Sequence, residues 1–392
     1  MNNDAAIPGP QFGRPVVVSR GGDGGPLVVL LHGRGSRETD IIALADALPP
    51  GLSYAAVRAP IAEGPGFAWF ANRGIGRPVA ESLRATMDWF RGWLDNIAPP
   101  GRPVLLVGFS GGAAFAGGLV LDDPERFAGA AILYGTLPFD AGVPTTPARL
   151  AGMPAFVAQG EHDHVIPRPL LDRTWDYLTL ESGAPTIARR DAVGHGIAQG
   201  ALADLAGWLA ERADFLSRSG SRVPGPARWP TLPAGLPDRT GPRPRISVTI
   251  PQQQLSDNSP QELQEKLFAR LSGLSDVNTR QSAISVPGAR GFMLTAERAI
   301  GPAEAFLVPR AREFAHLHPG HDGSLHVALP LGLATDAIRR GWAVAHPLAG
   351  IRLTPGMVLL YGPRDEAELD IVTAMVTASH AWAAGRLSPS AA

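Results

Sequence analysis

The chain has 392 residues, 45% of them hydrophobic, and a formal net charge of −1: room for two domains with sizeable cores, and no basic excess of the kind that nucleic acid or an anionic membrane attracts. It contains no cysteine, which excludes disulfides, thiolate zinc sites and cysteine nucleophiles. Residues 1–20 lack the basic start and apolar stretch of a signal peptide, and no run of about 18 apolar residues marks a membrane span, so a soluble cytoplasmic protein is expected.

In chain order, the first part alternates short β-like runs with helical patterns. A strand is expected over 16–19 and another over 27–31, then a helix over 38–47 and a strand over 54–58. A helix over 79–97 leads to a strand over 104–108, a helix over 112–121 and a strand over 129–134. Strands over 155–159 and 186–190 are followed by helices over 169–181 and 197–216 respectively. Val104-Leu105-Leu106-Val107 is continuously apolar, as a strand covered on both faces should be. This alternation predicts an α/β fold with a mostly parallel sheet, whose ligands sit at strand carboxyl ends. Beyond residue 216 the composition changes: 218–245 holds seven prolines and little apolar periodicity. A Pro-rich linker over 217–245 is therefore expected between a first domain, 1–216, and a second, 246–386, with a frayed tail over 387–392.

Gly108-Phe109-Ser110-Gly111-Gly112 follows the most apolar strand and precedes a helix. In that setting G-x-S-x-G is a nucleophile elbow, a sharp turn that lifts the serine hydroxyl above the sheet. The alternative is a Gly-rich turn with an incidental serine. A serine needs a base, and the order on such a sheet is serine, acid, histidine. Asp163 follows the strand 155–159 and His195 follows the strand 186–190, both on the edge that carries Ser110. Ser110, Asp163 and His195 are accordingly the expected catalytic set. His162, His164 and Glu161 flank the acid as decoys, and Asp191 lies too close to His195 to come from a separate strand. An oxyanion hole of backbone amides is expected from Gly111 and from Arg34, in His32-Gly33-Arg34-Gly35. His32 reads as a loop-shaping residue.

The stretch 25–212 resembles the phospholipase/carboxylesterase family, which includes acyl-protein thioesterases. The resemblance rests on Leu31-His32-Gly33-Arg34-Gly35, Ala68-Trp69-Phe70, the Ser110 pentapeptide, Pro124–Gly129 and Gly160–Pro167. It implies an α/β-hydrolase acting on a small-molecule acyl ester, thioester or lactone, with no metal or cofactor. Gly111 stands where the family carries glutamine, Ala71 where it often has aspartate, and Arg34 where an apolar residue is common. Trp69 and Phe70, with Phe67, are candidates for an acyl pocket, with packing under a loop as the alternative.

In the second domain, four of the ten histidines fall within 316–326. Pro319-Gly320-His321-Asp322-Gly323 is a turn signal between two alternating runs and predicts a hairpin within a smaller α+β domain. With that loop, His318 pairs with Ser324 and His316 with His326. Ala315, Leu317, Leu325, Val327 and Leu329 then share one face, and His316, His318 and His326 the other. Cross-strand Cβ atoms about 5 Å apart let the three imidazoles converge. Such a trio can bind zinc, copper or iron, act as acid–base groups, or serve as hydrogen-bonded structure; no bound metal is expected. Together with Gly341-Trp342, His346-Pro347 and 359–365, the hairpin resembles the luciferase-like domain family that includes the fungal luciferases. The resemblance covers about 246–386, implies chemistry on a pyrone-type compound, and carries His316, His318, His326 and Arg364 forward as substrate-binding candidates.

Overall fold

A computed structural model describes residues 12–22, 24–218 and 235–387. The linker expectation over 219–234 and the tail over 388–392 lie outside the described residues. Those described fall into two compact units. One takes the described residues up to Thr145 with Ala155–Trp175 and 189–218; the other takes Thr146–Pro154, Asp176–Ala188 and the described residues from 235 on.

In chain order, the first elements are β1 (Val17–Arg20), β2 (Leu27–Leu31), α1 (Glu38–Ile41), β3 (Ser53–Val57), β4 (Ile61–Glu63), β5 (Gly66–Ala68) and α2 (Ala80–Ile97). They continue with β6 (Val104–Phe109), α3 (Gly111–Asp122), β7 (Gly129–Leu133), β8 (Ala155–Gly160), α4 (Arg168–Asp176), β9 (Thr186–Asp191) and α5 (Gln199–Arg218). Seven of the strands form one sheet in the order β1-β3-β2-β6-β7-β8-β9. β1 pairs antiparallel with β3, and the pairs from β3 through β8 are parallel. The α/β expectation holds. The helices expected over 38–47 and 169–181 are each divided: α1 gives way to a 3-10 turn, Ile42–Ala47, and α4 to a π turn, Tyr177–Glu181. The β4–β5 hairpin was not anticipated, because three-residue strands are too short to show a period.

β2 is buried along its whole length and β6 up to its last residue, which explains their unbroken aliphatic sequence. α3 has no polar face either: Gly112 through Leu121 are all buried, the pattern of a helix enclosed on every side. Its small residues set how closely it packs. A Cβ on Gly117 would lie 2.5 Å from Leu137 Cδ2. α2 is amphipathic instead, burying Leu83, Met87, Phe90 and Leu94 at helical spacing.

The second unit contains α6 (Gln261–Ser272), β10 (Val277–Gln281), β11 (Arg290–Leu294), β12 (Glu313–Leu317), β13 (Leu325–Ala328), α7 (Leu331–Arg339), β14 (Ala343–Ala345), β15 (Met357–Leu360) and α8 (Glu366–Ala383). Its six strands make an antiparallel sheet in the order β10-β11-β12-β13-β15-β14. β12 and β13 form the expected hairpin with the expected register, His316 opposite His326 and Leu317 opposite Leu325; the His318 amide donates to Ser324 O at 2.9 Å and extends the pairing. Ala315, Leu317, Leu325, Val327 and Leu329 join one hydrophobic core with Leu263 and Leu267 of α6 and Val372 and Met375 of α8. On the other face, Ile246 packs against Val344, Leu359 and Tyr361. Residues 236–240, inside the stretch read as linker, are packed as well: Leu236 is buried, Trp342 Nε1 donates to Pro237 O at 2.7 Å, and the Arg239 amide donates to Arg340 O at 2.9 Å. Among the described residues no helix is long and apolar enough to cross a membrane.

Candidate functional site

Ser110 sits between β6 and α3 with φ +54° and ψ −116°, a conformation a side-chain-bearing residue adopts only when its surroundings impose it. The surroundings here are backbone. A Cβ on Gly108 would lie 2.3 Å from Gly112 O, and one on Gly112 would lie 2.1 Å from Leu31 O on the neighbouring strand. Glycine at both positions is what allows strand, turn and helix to close around Ser110.

His195, past the end of β9, brings Nε2 to 2.8 Å from Ser110 Oγ. Its Nδ1 lies 2.8 Å from Asp163 Oδ2. The other Asp163 oxygen accepts the amides of Val165 at 2.8 Å and Ile166 at 2.9 Å. Burial pushes the Asp163 carboxyl up, but the bonds from His195, Ile166 and Val165 outweigh burial and hold it below the usual carboxylate range. An ionised carboxylate only accepts, so the imidazole proton sits on Nδ1 and the Nε2 lone pair faces the serine hydroxyl. The decoy Asp191 is engaged elsewhere: it accepts the Tyr134 hydroxyl at 2.8 Å and pairs with Arg189.

The loop after β2 runs alongside. A Cβ on Gly111 would lie 3.2 Å from the Arg34 backbone nitrogen, so the two residues expected to supply amides are adjacent. The Arg34 side chain turns to Glu63, Nε to Oε1 at 2.6 Å. His32 is fully buried; Nδ1 lies 2.8 Å from Gly33 O and Nε2 accepts the Ala59 amide at 3.1 Å. With both ring nitrogens spent on backbone, it shapes the loop. A cavity of about 320 Å³ opens over Ser110, Gly111 and His195, lined by Arg34, Trp69, Phe70, Ile75, Leu137, Val165 and Ile166. Trp69 also packs, stacking on Phe115 with ring centroids 4.4 Å apart and donating Nε1 to His32 O at 2.8 Å. Phe67 is not among the lining residues; the Arg58 guanidinium lies over its ring at 4.8 Å.

In the second unit the three histidines converge and are buried, His316 at 0%, His318 at 2% and His326 at 5% exposure. His326 Nδ1 lies 3.1 Å from His316 Nε2 and 3.2 Å from His318 Nε2. Several partners were not anticipated. Glu313 Oε1 holds His316 Nδ1 at 2.8 Å, and Asp322 Oδ2 lies 2.9 Å from His318 Nδ1. Gln252 Oε1 lies 3.3 Å from His326 Nε2, and the His346 ring stands edge-on to His326 with centroids 4.8 Å apart. Burial pushes the Glu313 and Asp322 carboxyls up, but hydrogen bonds, first from His316 and His318 respectively, hold both below the usual range. Burial also drives the His326 imidazole well below the ordinary histidine range. Arg364 is not brought to this cluster. It sits just before the N-cap of α8, where Nε donates to Glu368 Oε1 at 2.9 Å and Nη2 to Thr240 O at 2.7 Å.

Comparison with known proteins accounts for both units. Residues 13–211 match the Phospholipase/Carboxylesterase family model and residues 311–379 match the Luciferase domain model. The Luciferase of Armillaria gallica is 30% identical over 230 residues, covering 52% of this chain and 79% of that protein. The Putative hydrolase MhqD of Bacillus subtilis (strain 168) is 25% identical over 190 residues, covering 47% and 92%. Among solved structures, a carboxylesterase from Mesorhizobium loti aligns with TM-score 0.43 at 28% identity, covering 47% of this chain and 88% of that one. The chain belongs to the phospholipase/carboxylesterase family of α/β-hydrolases and carries, in its second half, a domain of the luciferase family.

Proposed function

We propose that this protein hydrolyses a small carboxylic ester or thioester through an acyl-enzyme on Ser110. The observation that carries the reading is the continuous chain Ser110 Oγ, His195 Nε2, His195 Nδ1, Asp163 Oδ2, with both contacts at 2.8 Å, on the floor of an apolar cavity. Ser110 Oγ attacks the carbonyl carbon while its proton passes to His195 Nε2. The resulting oxyanion is stabilised by the Gly111 and Arg34 amides. His195 then gives the proton to the departing alcohol or thiol as the oxyanion collapses and the original acyl bond breaks, leaving the acyl group on Ser110 Oγ. Water repeats the sequence on the acyl-enzyme, again giving its proton to His195, and releases the acid. Asp163 holds the Nδ1–H tautomer and stabilises the imidazolium. The cavity, about 320 Å³, lies at the lower end of ligand-pocket volumes and favours a short acyl group or small lactone. The test is a panel of p-nitrophenyl esters, thioesters and lactones, with fluorophosphonate labelling, on wild type and Ser110→Ala. Wild type should turn over and label, and the variant should do neither while keeping its melting temperature. Full activity in Ser110→Ala would overturn the assignment.

A second reading puts the main activity in the luciferase-like domain, as a small-molecule-binding or oxygenase-type centre. It is favoured by the buried histidine cluster and by the relatedness to proteins named luciferase. Oxygen uptake by the Ser110→Ala protein with phenolic and pyrone compounds distinguishes it from a hydrolase with an inert partner domain.

A further inference from the structure

We infer that His316, His318 and His326 form a site for a divalent first-row transition-metal ion. Proton bookkeeping in the cluster leads there. Ser282 donates its hydroxyl to Glu313 Oε1 at 2.6 Å, and the Ala283 amide donates to Glu313 Oε2 at 2.8 Å. Glu313 can therefore only accept from His316, which places that ring's proton on Nδ1. Ser324 gives its hydroxyl proton to Asp322 Oδ1 at 2.5 Å, so its oxygen, 3.0 Å from His318 Nδ1, is an acceptor like the nearby Asp322 Oδ2. The His318 proton is on Nδ1 as well. Gln252 donates its amide to Ala345 O at 3.2 Å, which turns Oε1 toward His326 Nε2 and places the third proton there.

In its neutral form each ring spends its one N–H outward. What remains inside is three lone pairs, on His316 Nε2, His318 Nε2 and His326 Nδ1, all within 4.8 Å of one another. Three acceptors facing one another with no donor among the three is an unfavourable arrangement in a buried site. A single trapped proton would join two of them and leave the third facing a lone pair. A metal ion satisfies all three. Nitrogens bound about 2.0–2.1 Å from a tetrahedral zinc lie about 3.3–3.4 Å apart, close to the 3.1 and 3.2 Å separations from His326 Nδ1. Charge balance agrees. Glu313 and Asp322 are both fully buried, and among the described residues no arginine or lysine bonds to either, so a divalent cation matches the two carboxylates. Each ligand also has an acceptor on its far nitrogen, the arrangement that fixes the tautomer and ring orientation of metal-bound histidine. Imidazole donors suit zinc, copper, iron, cobalt and nickel rather than magnesium or calcium, and three protein ligands leave a further coordination position open.

The test uses the full-length chain, loaded with Zn²⁺ or Co²⁺ alone, desalted, and analysed for metal content. One ion per chain is expected, with visible d–d absorption in the cobalt form. His316→Ala/His326→Ala should bind none at that site. Because that variant removes buried groups, Gln252→Leu provides a gentler arm: it keeps all three ligands and loses only the acceptor at His326 Nε2, and should weaken Co²⁺ binding about 10–100-fold. Fluorophosphonate labelling at Ser110 and near-UV circular dichroism report folding in every case. A folded wild-type chain that takes up no Zn²⁺ or Co²⁺ overturns the inference, as does undiminished cobalt absorption in the double variant.

Discussion

Asp163→Asn tests the triad reading through the imidazole tautomer. In the wild type, Asp163 accepts on both sides: Val165 and Ile166 amides on Oδ1, His195 Nδ1–H on Oδ2. An asparagine must keep its carbonyl oxygen toward the two amides, since an NH₂ group there would face two donors. Its NH₂ then points at His195 Nδ1, which must become an acceptor. The ring proton moves to Nε2 and is directed at Ser110 Oγ, so the base has lost its lone pair. The same tautomer reversal in a serine-protease triad lowers kcat about 10⁴-fold, equivalent to about 5.4 kcal/mol of barrier. The expected result is a loss of that order in kcat for a p-nitrophenyl ester, with KM little changed and the fold retained. The pH dependence of stability supplies an independent readout. The Asp163 carboxyl is held below its unfolded value, so its contribution is complete above the unfolded pKa of about 3.9 and is lost as pH falls through the lower folded value. The asparagine variant should lack that acid-side loss. If Asp163→Asn keeps kcat within about tenfold of wild type, Asp163 is not the orienting acid.

Three further outcomes follow from the same geometry. Gly112→Ala would drive a Cβ to 2.1 Å from Leu31 O, and with backbone on both sides the cost should reach about 3 kcal/mol, the upper end for overpacking; differential scanning fluorimetry should show the hydrolase transition about 6–12 °C lower. Arg34→Ala removes an exposed pair with Glu63 while keeping the backbone amide, so stability should change by less than about 1 kcal/mol and kcat by only a few-fold; a hundredfold loss would show that the side chain, not the amide, acts on the substrate. Glu38 is 1% exposed, and the hydrogen bond from Arg58 holds its carboxyl below the usual range. Its stabilisation is therefore present above an unfolded pKa of about 4.3 and fades as pH falls through the folded value, and urea titrations of wild type and Glu38→Gln should converge in that acid window.

The first domain was legible because its signals are local. The aliphatic run before Ser110, the glycines around it and the acid and histidine each just past a strand are set by neighbours in the chain, and parallel-sheet topology then delivers all three to one edge. Likewise Pro-Gly-His-Asp-Gly determined the register of the β12–β13 hairpin, and with it the pairing of His316 with His326. The partners of those histidines required the tertiary structure. Strict alternation puts Glu313 on the same face as Ala315, away from His316. An extra residue in β12 opposite Phe292–Met293 reverses the parity, so Phe314 joins Ala315 in the helix-side core while Glu313 turns toward His316. Gln252 reaches His326 from 74 residues away on a segment outside the helices and strands, and Arg364, close to the domain's other motifs in sequence, is held by Glu368 at the start of α8. Residue types and spacing determined which groups this chain has and which strand ends carry them. Bulges and long-range packing, which leave no periodic trace in sequence, decided which nitrogen of each histidine faces its neighbours.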